Sequence, residues 1–238
     1  MLPPAQLIVV IQSYPAIDPS NPALSAKGKV IVVIGGGRGI GKYIALAFAR
    51  AGAQSIALMG RDSSNLQSNS SEICALSPQT NTATYSVDVT DPRATLSTLQ
   101  SVKSQFGSID VVVSSVGYLP AVNVGIKDSE FDDWWLGYEV NVRGTFTAVQ
   151  AFLRTAPHGA TFISLSSAAA HLPRMPGYSS YSSSKMAIAK FLEDVHAEHP
   201  EYRIFNYHPG IVVTDMNIKA GFPAQDESES SKRYIITH

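Results

Sequence analysis

The sequence is short of cysteine, of net charge and of long apolar runs, and each shortage removes a class of function. A single cysteine, Cys74, stands in 238 residues, so an internal disulfide framework is excluded and a reducing compartment fits. Cys74 falls in a segment of helical spacing, where the role of a small buried apolar residue is expected of it. The 18 Lys and Arg residues are balanced by 19 Asp and Glu, a formal net charge of -1. With no basic run and no aromatic residues interleaved with basic ones, neither nucleic acid nor an anionic membrane is an expected partner. No apolar stretch approaches the ~20 residues that span a bilayer. Leu7 to Ile11 is too short for a signal-peptide core and lacks a cationic leader. It reads as a short extended arm, and a cytoplasmic protein is expected.

What is present is apolar material, 45% of the chain, enough for one large α/β domain. Residues 1–24 read as an irregular N-terminal arm, with Tyr14-Pro15, Asp18-Pro19 and Asn21-Pro22 as turn signals. Residues 25–222 read as a single folded domain. Residues 223–238, polar from Asp226 to Arg233, read as a disordered tail.

Lys29 to Ile34 is a continuous β-branched run, the pattern of a strand buried on both faces. It leads into Gly35-Gly36-Gly37-Arg38-Gly39-Ile40-Gly41, and Lys42 to Ala51 then carries helical apolar spacing up to Gly52. Strand, glycine turn and helix in that order suit a dinucleotide. The glycines let the backbone approach a pyrophosphate, and the helix N-terminus offers it free N–H groups and a positive dipole end. A P-loop is not matched, because no Gly-Lys-Ser/Thr ends the turn. Further strands are expected at Ser55–Met59, Thr82–Val87, Ile109–Val113, Thr161–Leu165 and Arg203–Tyr207. Helices are expected over 62–76, 93–106, 131–155 with a break near Gly137, and 178–199. This alternation predicts an α/β fold: a doubly wound parallel sheet of six strands (a Rossmann fold) with right-handed crossovers. Ligands bind such sheets beyond the C-terminal ends of the strands. Gly35, Arg61, Asp88, Gly117, Ser167 and Pro209 all fall there.

At the end of the second strand no acidic residue stands ready for a ribose 2′-hydroxyl. Arg61 is there instead, followed by Asp62, and Arg38 lies within the glycine turn. Two guanidinium groups suit a 2′-phosphate, so NADP(H) is expected in preference to NAD(H). Asp88 and Val89 end the third strand, where a carboxylate can accept from an adenine amino group. Asp91 and Pro92 next to them read as a helix cap and first helical residue.

Tyr181 and Lys185 are four residues apart in an expected helix, hence one turn apart on one face. An ammonium beside a phenol lowers its pKa from about 10 and fits it for proton transfer at a carbonyl or alcohol oxygen near neutral pH. A hydroxyl from the Ser166-Ser167 pair upstream can hold the same oxygen.

Over roughly residues 25–222 the chain resembles the short-chain dehydrogenase/reductase family. The family's TGxxxGxG appears as Ile34-Gly35-Gly36-Gly37-Arg38-Gly39-Ile40-Gly41, with Ile in place of Thr. Its aspartate after the third strand matches Asp88. Its NNAG appears as Ser114-Ser115-Val116-Gly117, which keeps only the glycine. Its helix asparagine matches Asn141, its serine Ser167, its YxxxK Tyr181 and Lys185, and its PGxVxT the run from Pro209 through Gly210 and Val212 to Thr214.

The resemblance implies an oxidoreductase moving a hydride between a nicotinamide and a carbonyl or secondary alcohol. It makes Tyr181 the general acid or base and gives Lys185 the nicotinamide ribose and the tuning of Tyr181. Ser167 would orient the substrate oxygen, and Asn141 would hold a water linking Lys185 to solvent. Val212 and Thr214 would hold the carboxamide. It also implies a homodimer or tetramer built on the helices of Asn141 and Lys185, with Phe146, Phe152 and Phe191 facing outward.

A small, apolar, fairly bulky carbonyl or alcohol substrate is expected, in a cleft lined from residues 118–128, 171–177 and 219–222. Leu119, Leu172, Met175 and Phe222 are its apolar candidates. Three departures accompany the resemblance. The asparagines of NNAG are replaced, the spacing from Ser167 to Tyr181 is one residue long and keeps Ser166 as an alternative, and the family's last helix and strand are missing. A shortened C-terminus predicts an exposed sixth strand and a competing outcome, a nucleotide-binding protein with little or no turnover. A Rossmann-like methyltransferase shares the glycine turn but gives YxxxK no role.

Overall fold

The first strand, β1 (Val30–Ile34), is buried along its whole length, as its unbroken β-branched sequence requires. Alternate residues face opposite sides of a sheet, so Val30, Val32 and Ile34 join one core cluster while Ile31 and Val33 join another. The structure is a computed structural model that describes residues 15–172, 175–210, 212 and 214–221. Most of the expected arm (1–14), Phe222 and the tail 223–238 lie outside the described residues.

β2 (Ser55–Gly60) and β4 (Val111–Ser114) pair with β1 on either side. β3 (Asn81–Ser86), β5 (Thr161–Leu165) and β6 (Arg203–Tyr207) extend them into a six-stranded sheet of order β3-β2-β1-β4-β5-β6. Every pairing is parallel, so all the C-terminal ends share one edge, and the order reverses between β1 and β4. That reversal opens the crevice in which open α/β sheets bind ligands.

Helices α1 (Gly39–Arg50) and α2 (Ser63–Leu76) cover one face through Leu46, Leu66 and Ile73. On the other face lie α3 (Pro92–Phe106), α5 (Gly144–Thr155) and α6 (Ser179–Glu198), with Leu99, Phe152 and Ile188 against Phe162 and Ile204. α4 (Phe131–Tyr138) precedes α5, and a short α7 (Asp215–Lys219) follows β6. The strand register puts Ile163 and Phe205 on the α1–α2 side. Phe205 is 52% exposed, so among the described residues that half of the face stands open, with β6 paired to β5 alone.

Several expectations shift. The helix over 131–155 divides at a π-helical turn, Glu139–Arg143, and not at Gly137. Gly137 is helical, and a Cβ there would collide with the Ser180 hydroxyl, so this glycine serves the contact between α4 and α6. α1 begins at Gly39, inside the glycine turn, rather than at Lys42. β4 begins at Val111, and just before it the Asp110 carboxylate accepts from the Val30 N–H at 2.9 Å and the Lys29 ammonium at 2.8 Å. α7 was not expected; the Thr214 hydroxyl caps it by accepting from the Asn217 N–H at 3.2 Å. Cys74 is exposed, 3.4 Å from the Thr82 hydroxyl, because α2 turns Leu66, Asn69, Ser70 and Ile73 inward instead. Phe152 is not outward-facing but fully buried between Phe162 and Tyr202. No helix among the described residues is long and apolar enough to cross a membrane.

Candidate active site

The glycine turn folds back on the sheet. Gly35, at φ +82°, and Gly36 donate their N–H groups to the Met59 carbonyl at 2.7 and 3.2 Å. A Cβ on Gly41 would collide with the Gly35 carbonyl, so α1 starts against the turn only because Gly41 has no side chain. Arg38 precedes α1 and offers no side-chain cap. Among the described residues the first N–H groups of the helix, at Gly39, Ile40 and Gly41, therefore have no side-chain acceptor and stand available to an anion. Gly37 borders Asn65 and Leu66 of α2.

Both predicted arginines are exposed at this edge. Arg38 lies 3.7 Å from the Asp215 carboxylate at the start of α7. The acid beside Arg61, Asp62, accepts from the N–H groups of Ser64 and Asn65 as the cap of α2, which removes it from competition for a ribose. Asp88 is partly buried, which raises its pKa. Thr90 donates to its carboxylate twice, at 2.9 Å, and the charges of Arg61 and Arg143 add to this, so the net shift is downward. Val89 is buried where Gly144 of α5 comes close. Ser115 donates its N–H to the Ile34 carbonyl at 2.8 Å, Val116 packs on the core, and Gly117 sits between Met216 and the Lys185 ammonium. On the far side, Pro209, Gly210, Val212 and Thr214 lead from β6 into α7, and the Thr214 methyl faces Gly39.

The chemical centre is built on α6. The Ser167 hydroxyl stands close enough to the Tyr181 phenol to act on its pKa, while Ser166 is tied by its backbone N–H to the Tyr207 carbonyl at 2.7 Å. Ser167, and not Ser166, is thus the serine brought to the tyrosine. The Lys185 ammonium lies 5.8 Å from the centre of the Tyr181 ring, is 4% exposed, and donates to the Leu165 carbonyl at 2.8 Å. Asn141 is fully buried in the π turn. Its side chain accepts from the Tyr118 N–H at 2.7 Å and donates to the Tyr118 carbonyl and the Ser184 hydroxyl, each at 3.0 Å. It thereby clamps the loop after β4 to α6.

The expected lowering of the Tyr181 pKa is not what this geometry produces. Burial pushes the phenol up, Ser167 offsets part of this by hydrogen bonding, and Tyr178 adds to the rise. Lys185 is itself pulled down to about 8 by burial, with its ammonium held at Leu165.

A cavity of about 100 Å³ opens beside Tyr181. Leu119, Pro120, Ala121 and Val124 line it as expected, and so does Gly177. Leu172 is instead 56% exposed, and neither it nor Met175 forms part of the wall. The sequence reading missed the contribution of α4 and its approach, through Glu130, Asp133 and Trp134, and of Ser179 and Ser180. Those residues carried no local signal beyond the aromatic pair Trp134-Trp135. Above the cavity the Tyr118 hydroxyl donates to Asp133, which also accepts from the Ala121 N–H at 2.7 Å. That carboxylate, with burial and its charge, pushes Tyr118 up to about 12. Lys219 of α7 reaches over the Tyr118 ring at 5.3 Å and donates to the Leu119 carbonyl at 2.7 Å. Among the described residues no cluster of three or more His, Cys, Asp or Glu is arranged to hold a metal.

The chain matches known proteins along nearly the whole domain. The model of the short chain dehydrogenase family matches residues 29–222. The short chain dehydrogenase pigC of Monascus ruber is 36% identical over 211 residues, which cover 86% of this chain and 68% of pigC. The short chain dehydrogenase tazN of Aspergillus terreus is 35% identical over 211 residues, 86% of this chain but only 45% of tazN. A short chain dehydrogenase from Burkholderia cenocepacia in complex with NADP superposes with a TM-score of 0.75 at 29% identity, over 86% of this chain and 80% of that one. An NAD+-bound xylitol dehydrogenase superposes with a TM-score of 0.73 at 27% identity, over 81% and 74% of the two chains. The chain belongs to the short chain dehydrogenase family, oxidoreductases that act on CH–OH and C=O groups with a nicotinamide cofactor.

Proposed function

We propose that this protein is an NADP(H)-dependent carbonyl reductase or alcohol dehydrogenase in which Tyr181 moves the proton. The observation that carries the proposal is the grouping of Tyr181, the Ser167 hydroxyl and a buried Lys185 whose ammonium lies 5.8 Å from the Tyr181 ring, at the sheet edge where the glycine turn opens. Residues 25–222 form the unit that binds and reacts.

When bound, the dinucleotide supplies the hydride. Gly35 and Gly37 let the backbone approach the pyrophosphate, the N–H groups of Gly39, Ile40 and Gly41 hold it, and Arg38 and Arg61 hold a 2′-phosphate. Asp88 and Val89 border the adenine, and Ser115, Val116 and Gly117 line the adenosine side. Val212 and Thr214 hold the carboxamide, and Pro209 and Gly210 border the cofactor beside them. In reduction, Tyr181 gives its proton to the substrate oxygen while the Ser167 hydroxyl fixes that oxygen. A phenol raised by burial stays protonated through neutral pH, as a general acid must. The buried Lys185 charge then stabilises the phenolate that remains and holds the nicotinamide ribose. Asn141 positions Tyr118 and Ser184 around this group and anchors a water between Lys185 and solvent. The proposal includes a cytoplasmic homodimer or tetramer built on α5 and α6, where Phe146 is 49% exposed and lies 5.8 Å from Phe191.

The test compares NADPH and NADH binding by cofactor fluorescence, together with NADPH consumption over a panel of neutral ketones. NADPH is expected to bind more tightly and to be consumed. Arg38→Ala and Arg61→Ala should each weaken NADPH by about tenfold, the loss of a hydrogen bond to a charged group, and leave NADH unchanged. Equal losses for both cofactors, or tighter NADH, would contradict the assignment of the arginines. Binding with no turnover across the panel would contradict the reductase assignment.

A further inference from the structure

We propose that Trp134 of α4 sets substrate size, and that the cavity it closes takes one substituent of an uncharged ketone, a short branched alkyl group. This rests on the oxidoreductase reading above, since the cavity is useful only if its neighbour Tyr181 reacts.

The walls carry the inference. Leu119, Pro120, Ala121, Val124 and the Trp134 indole face a space of about 100 Å³, with Tyr181 at one side. A dry cavity of about 150 Å³ takes up benzene, so the smaller one here suits a branched alkyl group and not a second ring. The indole is held by specific contacts. Its Nε1–H donates to the Ser179 hydroxyl at 2.9 Å, and its ring stacks on Tyr138 at 5.3 Å. The Trp134 carbonyl accepts from the Ser180 hydroxyl at 2.6 Å. Gly137, one turn on, lets α4 lie directly against Ser180. The wall is thus braced by both α4 and α6.

Charge narrows the substrate further. Asp128, Glu130 and Asp133 line the cavity, and no Lys, Arg or His does so among the described residues. The ammonium groups around it are engaged: Lys127 lies 3.9 Å from Asp128, Lys219 donates to the Leu119 carbonyl at 2.7 Å, and the buried Lys185 donates to the Leu165 carbonyl at 2.8 Å. A carboxylate placed here would meet like charges and find no cationic partner, which costs affinity.

The experiment holds one side of the ketone constant. Cyclohexyl methyl ketone, cyclohexyl isopropyl ketone, dicyclohexyl ketone and 2-cyclohexyl-2-oxoacetate form the series, the last replacing isopropyl by a carboxylate of nearly the same shape. Two readouts are taken: kcat/KM with NADPH, and binding to NADP+-saturated protein by quenching of tryptophan emission in a Trp135→Phe background. The chain has 2 tryptophans, so Trp134 is then the sole reporter and the second readout needs no turnover. The isopropyl ketone should bind and quench, with dicyclohexyl ketone and the oxoacid each at least tenfold weaker, a discrimination usual for a close-fitting apolar pocket.

Trp134→Ala, with circular dichroism and NADPH affinity unchanged, should improve kcat/KM for dicyclohexyl ketone at least tenfold; Trp134→Phe should fall between. If Trp134→Ala does not fold, Ser179→Ala frees the indole without removing it and should relax the same discrimination to a smaller degree. A folded Trp134→Ala with unaltered discrimination overturns the proposal. So does wild-type protein that accepts dicyclohexyl ketone or the oxoacid as readily as the isopropyl ketone, or quenching by none of the ketones. Quenching in the expected order without turnover would leave the cavity assignment standing and overturn the oxidoreductase reading instead.

Discussion

Tyr181 and Lys185 are displaced in opposite directions by the same burial, and this gives each a distinct signature. The lysine is pulled to about 8 from its ordinary 10.5. Between those values the unfolded chain binds more protons at this site than the folded one, so stability from Lys185 grows as pH rises through the window and is lost as pH falls through 8. The stability of the wild type relative to Lys185→Met, measured by urea unfolding, should therefore increase by on the order of 2–3 kcal/mol from pH 8 to pH 10. A flat difference would mean that Lys185 titrates normally. Tyr181 is raised, so it works against stability only above its unfolded value near 10. In alcohol oxidation, where Tyr181 must accept a proton, the rate should climb with alkaline pH. In carbonyl reduction it should stay level through neutral pH. The four-residue spacing in the sequence revealed that the two groups meet on one helix face. It did not reveal the direction of the tyrosine shift, because that depends on burial and on the Leu165 carbonyl that holds the ammonium. The wall formed by Trp134 was hidden for a similar reason: it exists only where α4 crosses α6.

Elements with strong local signals formed where the chain announces them. Asp91 accepts from the N–H groups of Arg93 and Ala94 at 2.9 and 3.0 Å, with Pro92 behind it, and α3 starts there as the sequence indicates. Asp91→Ala should cost about 1 kcal/mol by chemical denaturation with NADPH affinity unchanged; loss of cofactor binding would give Asp91 a role that its position does not suggest. Gly137 teaches the opposite lesson. From sequence it reads as a helix breaker, yet it is a contact point at which a Cβ meets the Ser180 hydroxyl. Gly137→Ala should destabilise the fold by roughly 1–3 kcal/mol, although alanine is the better helix former. Stabilisation would show that α4 and α6 can move apart, and with them the Trp134 wall. The π turn that buries Asn141 and the capped turn of α7 depend on tertiary partners, Tyr118 and Ser184 for the first and Lys219 over Tyr118 for the second. Neither is written in local spacing.

At the scale of the molecule, the parallel sheet was legible because strands and helices alternate and six strand ends carry residues suited to one ligand. The uncovered half of the sheet is a matter of which helices lie over β5 and β6, and Phe205, 52% exposed, marks it. With that face open among the described residues, the domain should melt below about 65 °C without ligand. Saturation with NADPH at about 100 times Kd should add about 2.7 kcal/mol, read as an upward shift of several degrees. A higher melt without ligand, or no shift with it, would contradict this picture of the domain. Everything assigned to the cleft converges on one proton. Pre-steady-state and steady-state turnover of Tyr181→Phe, with NADPH affinity measured on the same sample, tests it most directly. The expected result is a fall in kcat of at least about 100-fold, the lower bound for a general acid, at unchanged NADPH affinity. Activity retained by the phenylalanine variant would contradict the assignment of Tyr181.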